Sequence, residues 1–327
     1  MIDSFGRNVN YLRISVTDRC NLRCVYCMPD EGVPWLKRSE LLTYEEICRI
    51  VRVMAELGLR KVRFTGGEPL VRSDLPELVK KISVIEGIDD ISLSTNAVLL
   101  DKYAVKLKKA GIQRVNISLD TLDAEKFLKI SLRHSLEDVL NGIKAAEDVG
   151  MKPIKINMVV MKGVNDDELA EFASLTLTKD YTIRFIEMMP LKENLDRQEI
   201  SYLSTEKIMK AISGVGELIP LERDISGGPA RNYKIKGAKG KLGFISPLSH
   251  TFCADCNRMR LTATGGLKLC LFNEPELNFR DPMRNGATDD DLKLMIRDAL
   301  IIKPLEHNLQ VGKAGFESYT AMSQIGG

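Results

Sequence analysis

Apolar and polar residues alternate with a period of two in six short segments of the first 190 residues, and longer stretches of helical periodicity separate them. The alternation predicts strands near residues 11–17, 61–65, 91–95, 114–120, 154–161 and 182–188. The helical pattern predicts helices over residues 43–57, 74–85, 99–109, 135–149, 166–178 and 204–213. Strands that alternate with helices indicate a parallel sheet with crossover helices.

Four of the predicted strands clearly have one apolar and one polar parity, as where Leu12 and Ile14 alternate with Arg13 and Ser15. A doubly wound sheet has helices on both faces, so its strands are apolar throughout. The polar parity must therefore face something wet or charged, which the ligand-filled lumen of a partly open barrel provides. Six β/α units are too few for a complete eight-unit barrel. We predict an α/β fold, an incomplete (β/α)6 TIM-like barrel.

The pattern changes after about residue 220, where Gly-rich turns separate shorter β-like segments. These segments lie at residues 231–236, 241–246, 258–264 and 267–271, and a helix is predicted over 289–302. We therefore expect a barrel over residues 1–219 and a smaller C-terminal α+β extension over residues 220–327.

Charge and composition exclude some classes of function. The 327 residues are 44% hydrophobic and 28% charged, and the net charge is only +2. We expect no nucleic-acid or membrane partner, so local Arg and Lys must hold any anionic ligand. The chain shows no secretory signal and no apolar run of membrane-spanning length. A reducing, cytoplasmic compartment is expected, where clustered cysteines are more often metal ligands than disulfides.

Three cysteines form a C-x3-C-x2-C run at Cys20, Cys24 and Cys27. This spacing lets one loop hold three thiolates around a [4Fe–4S] cube, which leaves one iron open to a substrate or cofactor. A zinc loop is the alternative. Structural zinc normally takes four protein ligands, however, and no fourth Cys or His follows closely.

A second cysteine group, Cys253, Cys256 and Cys270, lies in the predicted extension. His250 precedes Cys253 by three residues, so these four side chains could form a Cys3His zinc site. A second iron–sulfur cluster is the other interpretation, and the local spacing leaves both open.

Cations are expected at the barrel interior. Arg258 and Arg260 lie two apart on a predicted strand, so they face the same side, and guanidinium groups bind phosphate bidentately. Arg13 and Lys155 have the polar parity of their strands. A lysine inside a barrel is costly unless it has an anionic partner, which favours an anionic ligand.

The first cysteine run, followed by Gly66-Gly67-Glu68-Pro69 at the next strand end, resembles the radical S-adenosylmethionine (SAM) superfamily. Within it, the chain resembles the GTP 3′,8-cyclase family, whose members begin molybdenum cofactor biosynthesis. The motifs that carry this likeness are residues 11–21, 27–29, 252–262 and the terminal Gly326-Gly327. The likeness covers essentially the whole chain and is weakest over residues 192–232 and 309–323.

The resemblance implies two [4Fe–4S] clusters and S-adenosyl-L-methionine as cofactors. It assigns the SAM-binding cluster to Cys20, Cys24 and Cys27, and a second cluster facing the guanine to Cys253, Cys256 and Cys270. SAM contacts fall on Tyr26, Gly67, Ser118 and Met189. GTP contacts fall on Arg13, Arg63, Ser94, Lys155, Arg258 and Arg260. Catalytic roles fall on Arg13, Arg258, Arg260, Gly326 and Gly327.

The resemblance also implies the reaction. A 5′-deoxyadenosyl radical takes the C3′ hydrogen of GTP, and the resulting carbon radical closes onto guanine C8. One electron and one proton then complete (8S)-3′,8-cyclo-7,8-dihydroguanosine 5′-triphosphate. The implied partners are GTP, a second copy of the chain in a homodimer, an electron donor, and the next enzyme of the pathway, cyclic pyranopterin monophosphate synthase. One departure is Ala97, where the family usually has Gly.

Two other functions share some of these features. A radical SAM peptide-modifying enzyme with an auxiliary cluster would have both cysteine groups but would not need the arginine pair. A non-enzymatic iron–sulfur or zinc scaffold would not cleave SAM.

Overall fold

The computed structural model describes residues 1–28, 34–189, 202–222, 228–272, 276–307 and 322–325. Its strands are β1 Tyr11–Ser15, β2 Lys61–Thr65, β3 Asp90–Thr95, β4 Arg114–Ser118, β5 Ile154–Val160, β6 Tyr181–Glu187, β7 Leu218–Pro220, β8 Arg231–Ile235, β9 Lys241–Ile245, β10 Arg258–Leu261, β11 Gly266–Lys268 and β12 Glu276–Asn278. Its helices are α1 Tyr44–Glu56, α2 Leu75–Ser83, α3 Leu100–Ala110, α4 Ala124–Ser131, α5 Leu136–Asp148, α6 Leu169–Thr178, α7 Thr205–Ile212, α8 Arg280–Arg284, α9 Asp289–Ile301 and α10 Met322–Ile325.

The first six strands form the predicted barrel. They pair in chain order from β1 to β6, and every pair is parallel. The sheet does not close, since β12 and β7 lie at its two ends. The prediction of an incomplete (β/α)6 barrel with a C-terminal extension is confirmed.

The extension continues the barrel sheet at both of its edges. Strand β10 pairs parallel with β1, and strand β9 pairs parallel with β6. The hairpin partners β11 and β8 then run antiparallel to these two strands. The boundary at residues 219 and 220 stays a prediction, and it falls inside β7.

The apolar parity of the strands builds the core. Leu12, Ile14, Val62 and Phe64 are each fully buried in one hydrophobic cluster shared with the helices. Burial of one such side chain contributes about 1.5–3 kcal/mol, so this parity fixes which face of the sheet the helices cover. The polar residues of the alternating strands therefore face the lumen, as the alternation predicts.

Helix α4 was not predicted, and it supports the first cysteine loop. Asp123 caps it by accepting the Lys126 N–H at 2.8 Å, while Phe127 and Ile130 bury one face. It ends at Leu132, whose φ of 56° is left-handed. The Asp cap and the i, i+3 apolar pair were the available sequence signals. Strands β7 and β12, of three residues each, were also missed.

Within the described ranges, every helix is too short or too polar to cross a lipid bilayer.

Candidate functional site

A cavity of about 330 Å³ runs along the barrel lumen. It extends from Tyr11 and Arg114, at the starts of their strands, to Ser118 and Met188 at the other end. Both cysteine groups line this cavity, namely Cys20, Cys24 and Cys27, and Cys253, Cys256 and Cys270. The fold therefore brings two groups that are more than 220 residues apart in sequence to one internal space.

Backbone hydrogen bonds hold the first cysteine loop. The Cys27 N–H donates to the Cys24 carbonyl at 2.9 Å and closes a turn. The N–H groups of Arg23 and Val25 each donate, at 2.9 Å, to carbonyls at the end of α4. These backbone hydrogen bonds tie the cysteine loop to the end of α4.

Two glycines let this loop lie against the end of β2. A Cβ at Gly67 would stand 2.3 Å from the Arg19 carbonyl oxygen, and one at Gly66 would stand 2.6 Å from that of Thr17. The Gly67 N–H donates to Thr17 at 2.8 Å, and the Glu68 N–H donates to Arg19 at 2.7 Å. The glycines are thus needed for contact with the chain's own backbone, just before the first cysteine.

Glu68 organises the next strand end. Its carboxylate accepts the Thr95 hydroxyl at 2.7 Å and the Asn96 N–H at 2.6 Å. The Asn96 side-chain amide in turn donates to the Cys20 sulfur at 3.7 Å. Burial raises the pKa of Glu68 to about 7, because these hydrogen bonds only partly offset its desolvation. Glu68 therefore acts on the cysteine loop through Asn96.

Tyr26 and Asp120 join the cysteine loop to the end of β4. The Tyr26 hydroxyl donates to Asp120 at 2.7 Å, and the Val159 N–H donates to the other carboxylate oxygen at 2.8 Å. Burial raises the pKa of Asp120 to about 6. Tyr26 was among the residues predicted to contact SAM, whereas Asp120 had no predicted role, although its position at a strand end was a signal.

A hairpin assembles the second cysteine group. Cys253 and Cys256 form a short turn, closed by the Cys256 N–H on the Cys253 carbonyl at 3.0 Å. Strand β11 runs antiparallel to β10, with Arg260 opposite Lys268. This register returns Cys270 to the start of β10, beside Cys256, and so explains the long spacing between the two.

The zinc interpretation of this group required His250. Its ring is instead exposed and hydrogen-bonded to Glu206 on α7 at 2.6 Å. Among the described residues, no three His, Cys, Asp or Glu side chains converge closely enough to hold one metal ion. In a cubic cluster each thiolate binds a different iron, so the ligands need only surround the cluster.

Arginines form two layers across the lumen. In register, Arg13 lies opposite both Arg260 and Arg63, and Tyr11 lies opposite Arg258 one layer below. Paired positions of neighbouring strands face the same side of a sheet, and all five side chains line the cavity. Burial, followed by the charges of Arg260 and Arg63, lowers the pKa of Arg13 well below its usual value. Such a concentration of positive charge calls for a polyanionic ligand.

Two further arginines lie in the lumen but were not predicted as site residues from the sequence. Arg184 and Arg114 line the same cavity, and Arg114 pairs with Asp90 at 2.5 Å. Burial, followed by the charge of Arg63, lowers the pKa of Arg184 to about 9. Arg184 was missed because it lies within an otherwise buried, mostly apolar strand.

Two family models match consecutive parts of the chain. The Radical SAM superfamily model matches residues 14–176, and the Molybdenum Cofactor Synthesis C model matches residues 181–309. A GTP 3′,8-cyclase from Petrotoga mobilis is 47% identical over 327 residues, which is the full length of both chains. The chain belongs to the GTP 3′,8-cyclase family.

Other relatives agree with this assignment. A GTP 3′,8-cyclase from Pelotomaculum thermopropionicum is 46% identical over 328 residues, again over the full length of both chains. Among solved structures, that of Streptococcus suis SuiB bound to S-adenosylmethionine has a TM-score of 0.59 at 18% identity, and it covers 89% of this chain and 68% of that one. The likeness to SuiB shows the fold alone.

The remaining positions selected from the family have different surroundings. Ser94, Ser118, Gly67 and Met189 line the cavity, while their contacts to SAM or GTP stay predictions. Lys155 does not border the cavity as described, although Asn157, two residues on along the same face, does. Burial, followed by the charges of Arg184 and Arg114, lowers the pKa of Lys155 to about 6.

The C-terminal glycines Gly326 and Gly327 lie outside the described residues. Met322, four residues earlier, lines the cavity, and Ile325 is buried.

The cysteine residues fit iron–sulfur clusters. Burial, followed by the charge of Glu68, raises the pKa of Cys20 to about 11, and burial also raises the pKa of Cys24 well above its usual value. Such thiols lose their protons when a metal binds them. In the second cysteine group, burial opposes ionisation of Cys256. The positive charges of Arg258 and Lys303 outweigh this effect and lower the pKa of Cys256 to about 7.

Proposed function

We propose that the protein is a radical SAM lyase that converts GTP to (8S)-3′,8-cyclo-7,8-dihydroguanosine 5′-triphosphate, the first step of molybdenum cofactor biosynthesis. Family membership supports the activity. The observation that carries the proposal is the position of the arginine layers in one cavity between two sets of three cysteines.

The strand register gives this arrangement its geometry. The first cysteine loop follows the carboxyl end of β1, whereas Cys256 precedes the start of β10. Because the two strands are parallel and Tyr11 lies opposite Arg258, the cysteine groups lie at opposite ends of this strand pair. Four residue steps of a strand span about 13 Å. A nucleotide on the arginine layers would therefore lie between the two clusters.

Cys20, Cys24 and Cys27 would hold a cluster that, together with SAM, would supply the 5′-deoxyadenosyl radical needed to remove the C3′ hydrogen of GTP. The chain's own residues bind and orient. Arg13, Arg63 and Arg260 offer planar donor groups to the triphosphate. Fixing the triphosphate fixes C3′ relative to the first cluster, and close approach of reacting atoms supplies much of the rate.

We propose that Gly326 and Gly327 take part in catalysis, as the family resemblance implies. The support is Met322, which lines the cavity, together with the small size of glycine. Deletion of both glycines should abolish cyclisation while the iron content and the spectra of both clusters stay unchanged. A fully active truncated chain would remove this role.

We propose further that the chain acts in the cytoplasm as a homodimer. It would receive single electrons from a separate donor and pass its product to cyclic pyranopterin monophosphate synthase. Six cavity-lining cysteines support a reducing compartment, since their thiols must not be oxidised to disulfides before clusters are inserted.

An anaerobic assay tests the activity. Reconstituted protein is given dithionite and SAM, with and without GTP, and both 5′-deoxyadenosine and the nucleotide product are measured. GTP-dependent 5′-deoxyadenosine with a cyclised nucleotide is the expected result. Formation of 5′-deoxyadenosine with unchanged GTP would refute the substrate and favour a peptide-modifying enzyme. No 5′-deoxyadenosine despite intact clusters would favour a scaffold.

A further inference from the structure

Lys303, just beyond helix α9, is a buried lysine that the proposed reaction does not use. Only 2% of its surface is exposed. Its ammonium group donates to the Leu269 carbonyl, to the Arg258 carbonyl at 3.2 Å, and to the Cys256 sulfur at 3.9 Å. One side chain thus joins both strands of the hairpin that holds the second cysteine group.

The charge of Lys303 has no carboxylate partner among the described residues. The cations Arg7 and Arg258 lie near it, and the attractive groups beside it are Cys256 and Cys270. An unpaired buried ammonium group costs several kcal/mol. We therefore infer that negative charge on the cysteines themselves balances the ammonium group of Lys303.

Arg7, which lies near Lys303, is a buried cation with a structural role, and its charge is balanced differently. Arg7 pairs with Asp3 at 2.6 Å, and it also donates to the carbonyls of Cys253, Pro304 and Leu305. Its charge is therefore balanced inside the protein. Lys303 reaches the same cysteine group without such a carboxylate and makes contact with a sulfur.

We propose that Lys303 is a positioning residue for a cluster held by Cys253, Cys256 and Cys270, and that its hydrogen bond to Cys256 makes this cluster easier to reduce. The inference rests on the second cluster of the proposed function. The couple takes up one electron, with no bond made or broken. A nearby ammonium group stabilises the form with the extra negative charge, as hydrogen bonds to cluster sulfurs tune potentials.

The test measures the potential of the second cluster directly. Full-length protein with Cys20, Cys24 and Cys27 replaced by Ala leaves only the second group to bind iron. In this background Lys303→Met, Lys303→Arg and the control Lys293→Met are compared by dithionite titration followed by electron paramagnetic resonance, with iron and zinc analysis. Lys293 is a matched control because it lies on α9 and pairs with Glu56 and Asp290, away from the cysteines.

We expect Lys303→Met to lower the equilibrium constant for one-electron reduction about tenfold, which is about 59 mV for such a couple. Lys303→Arg should restore most of the potential, and Lys293→Met should leave it unchanged. Full iron content with an unchanged potential in Lys303→Met would show that the lysine is merely structural. That result would leave the proposed function intact.

A second measurement does not depend on the variants folding. In wild-type protein labelled with ¹⁵N-lysine, the reduced second cluster should show a nitrogen hyperfine coupling in pulsed paramagnetic resonance. Absence of the coupling would overturn the proposal. Zinc in place of a cluster in the wild type would overturn this proposal together with the second cluster, whereas failure to convert GTP would leave the potential measurement valid.

Discussion

Replacement of Gly67 by Ala tests whether the glycine edge positions the first cysteine loop. The new Cβ would stand 2.3 Å from the Arg19 carbonyl oxygen, 2.6 Å from the Arg19 carbonyl carbon and 2.7 Å from the Asp18 oxygen. All three contacts are with backbone, which cannot turn aside as a flexible side chain can. The two backbones must therefore separate next to Cys20.

The magnitude follows from what the separation breaks. Overpacking typically costs about 1–3 kcal/mol. Loss of the Gly67 hydrogen bond to Thr17 and the Glu68 bond to Arg19 adds about 1 kcal/mol each. Gly67 has no left-handed φ, so Ala gains about 0.4–1 kcal/mol from a more restricted unfolded chain. The clash and the lost hydrogen bonds outweigh this gain, and we expect a net loss of about 2–4.5 kcal/mol in the free energy of unfolding.

Chemical unfolding measures the stability, and iron analysis after anaerobic reconstitution measures loading of the first cysteine group. Gly214→Ala is the matched control, because a Cβ there meets nothing within 4 Å and its φ is not left-handed. We expect a change within about 1 kcal/mol for the control. Wild-type stability together with full iron loading in Gly67→Ala would refute the close-approach argument.

Three further predictions concern charged groups. Arg260→Ala should weaken GTP binding at least tenfold, since a charge-assisted hydrogen bond contributes about 1.5–3 kcal/mol. The control Arg52→Ala, at an exposed position, should leave GTP binding unchanged. Unchanged GTP binding and turnover in Arg260→Ala would disprove the role of Arg260. Glu187→Gln should destabilise the fold by about 2–4 kcal/mol, because both buried carboxylate oxygens accept backbone N–H groups and an amide NH2 must oppose one of them. A wild-type urea midpoint in that variant would contradict the argument. The pKa of Glu68 is raised from 4.5 to about 7, so the folded state binds the extra proton and stability falls as pH rises through this window. Between pH 5 and pH 8 the free energy of unfolding of the wild type should fall by about 2.5 kcal/mol more than that of Glu68→Gln. Parallel curves of unfolding free energy against pH for the two proteins would contradict this prediction.

The barrel could be predicted because its two strand parities face different surroundings. Arg13 and Arg63 face the cavity while Leu12, Ile14 and Phe64 are fully buried behind them. A period-two pattern in the sequence records this difference directly. That Cys20, Cys24 and Cys27 line one space was predictable for a related reason, since their short spacing keeps the three side chains within one loop.

The contacts between segments that are distant in sequence could not be predicted from the hydrophobic pattern. Nothing local in residues 258–261 indicates that β10 pairs with β1, which lies more than 240 residues earlier. Lys303 lies at the end of a helical pattern, and its burial depends on the hairpin of Leu269 and Arg258. Such features arise from tertiary contacts, which composition and periodicity do not encode.

The position of β10 explains why the extension and the barrel depend on each other. Asn257 fixes the strand at its start, because its carbonyl accepts the Asn10 and Tyr11 N–H groups at 3.2 and 3.1 Å. A slip of one residue would turn Arg258 and Arg260 away from the lumen, since side chains alternate along a strand. The same slip would move Cys256, two residues before Arg258, away from the cavity. One strand register therefore fixes the positions of both the second cysteine group and part of the arginine layers.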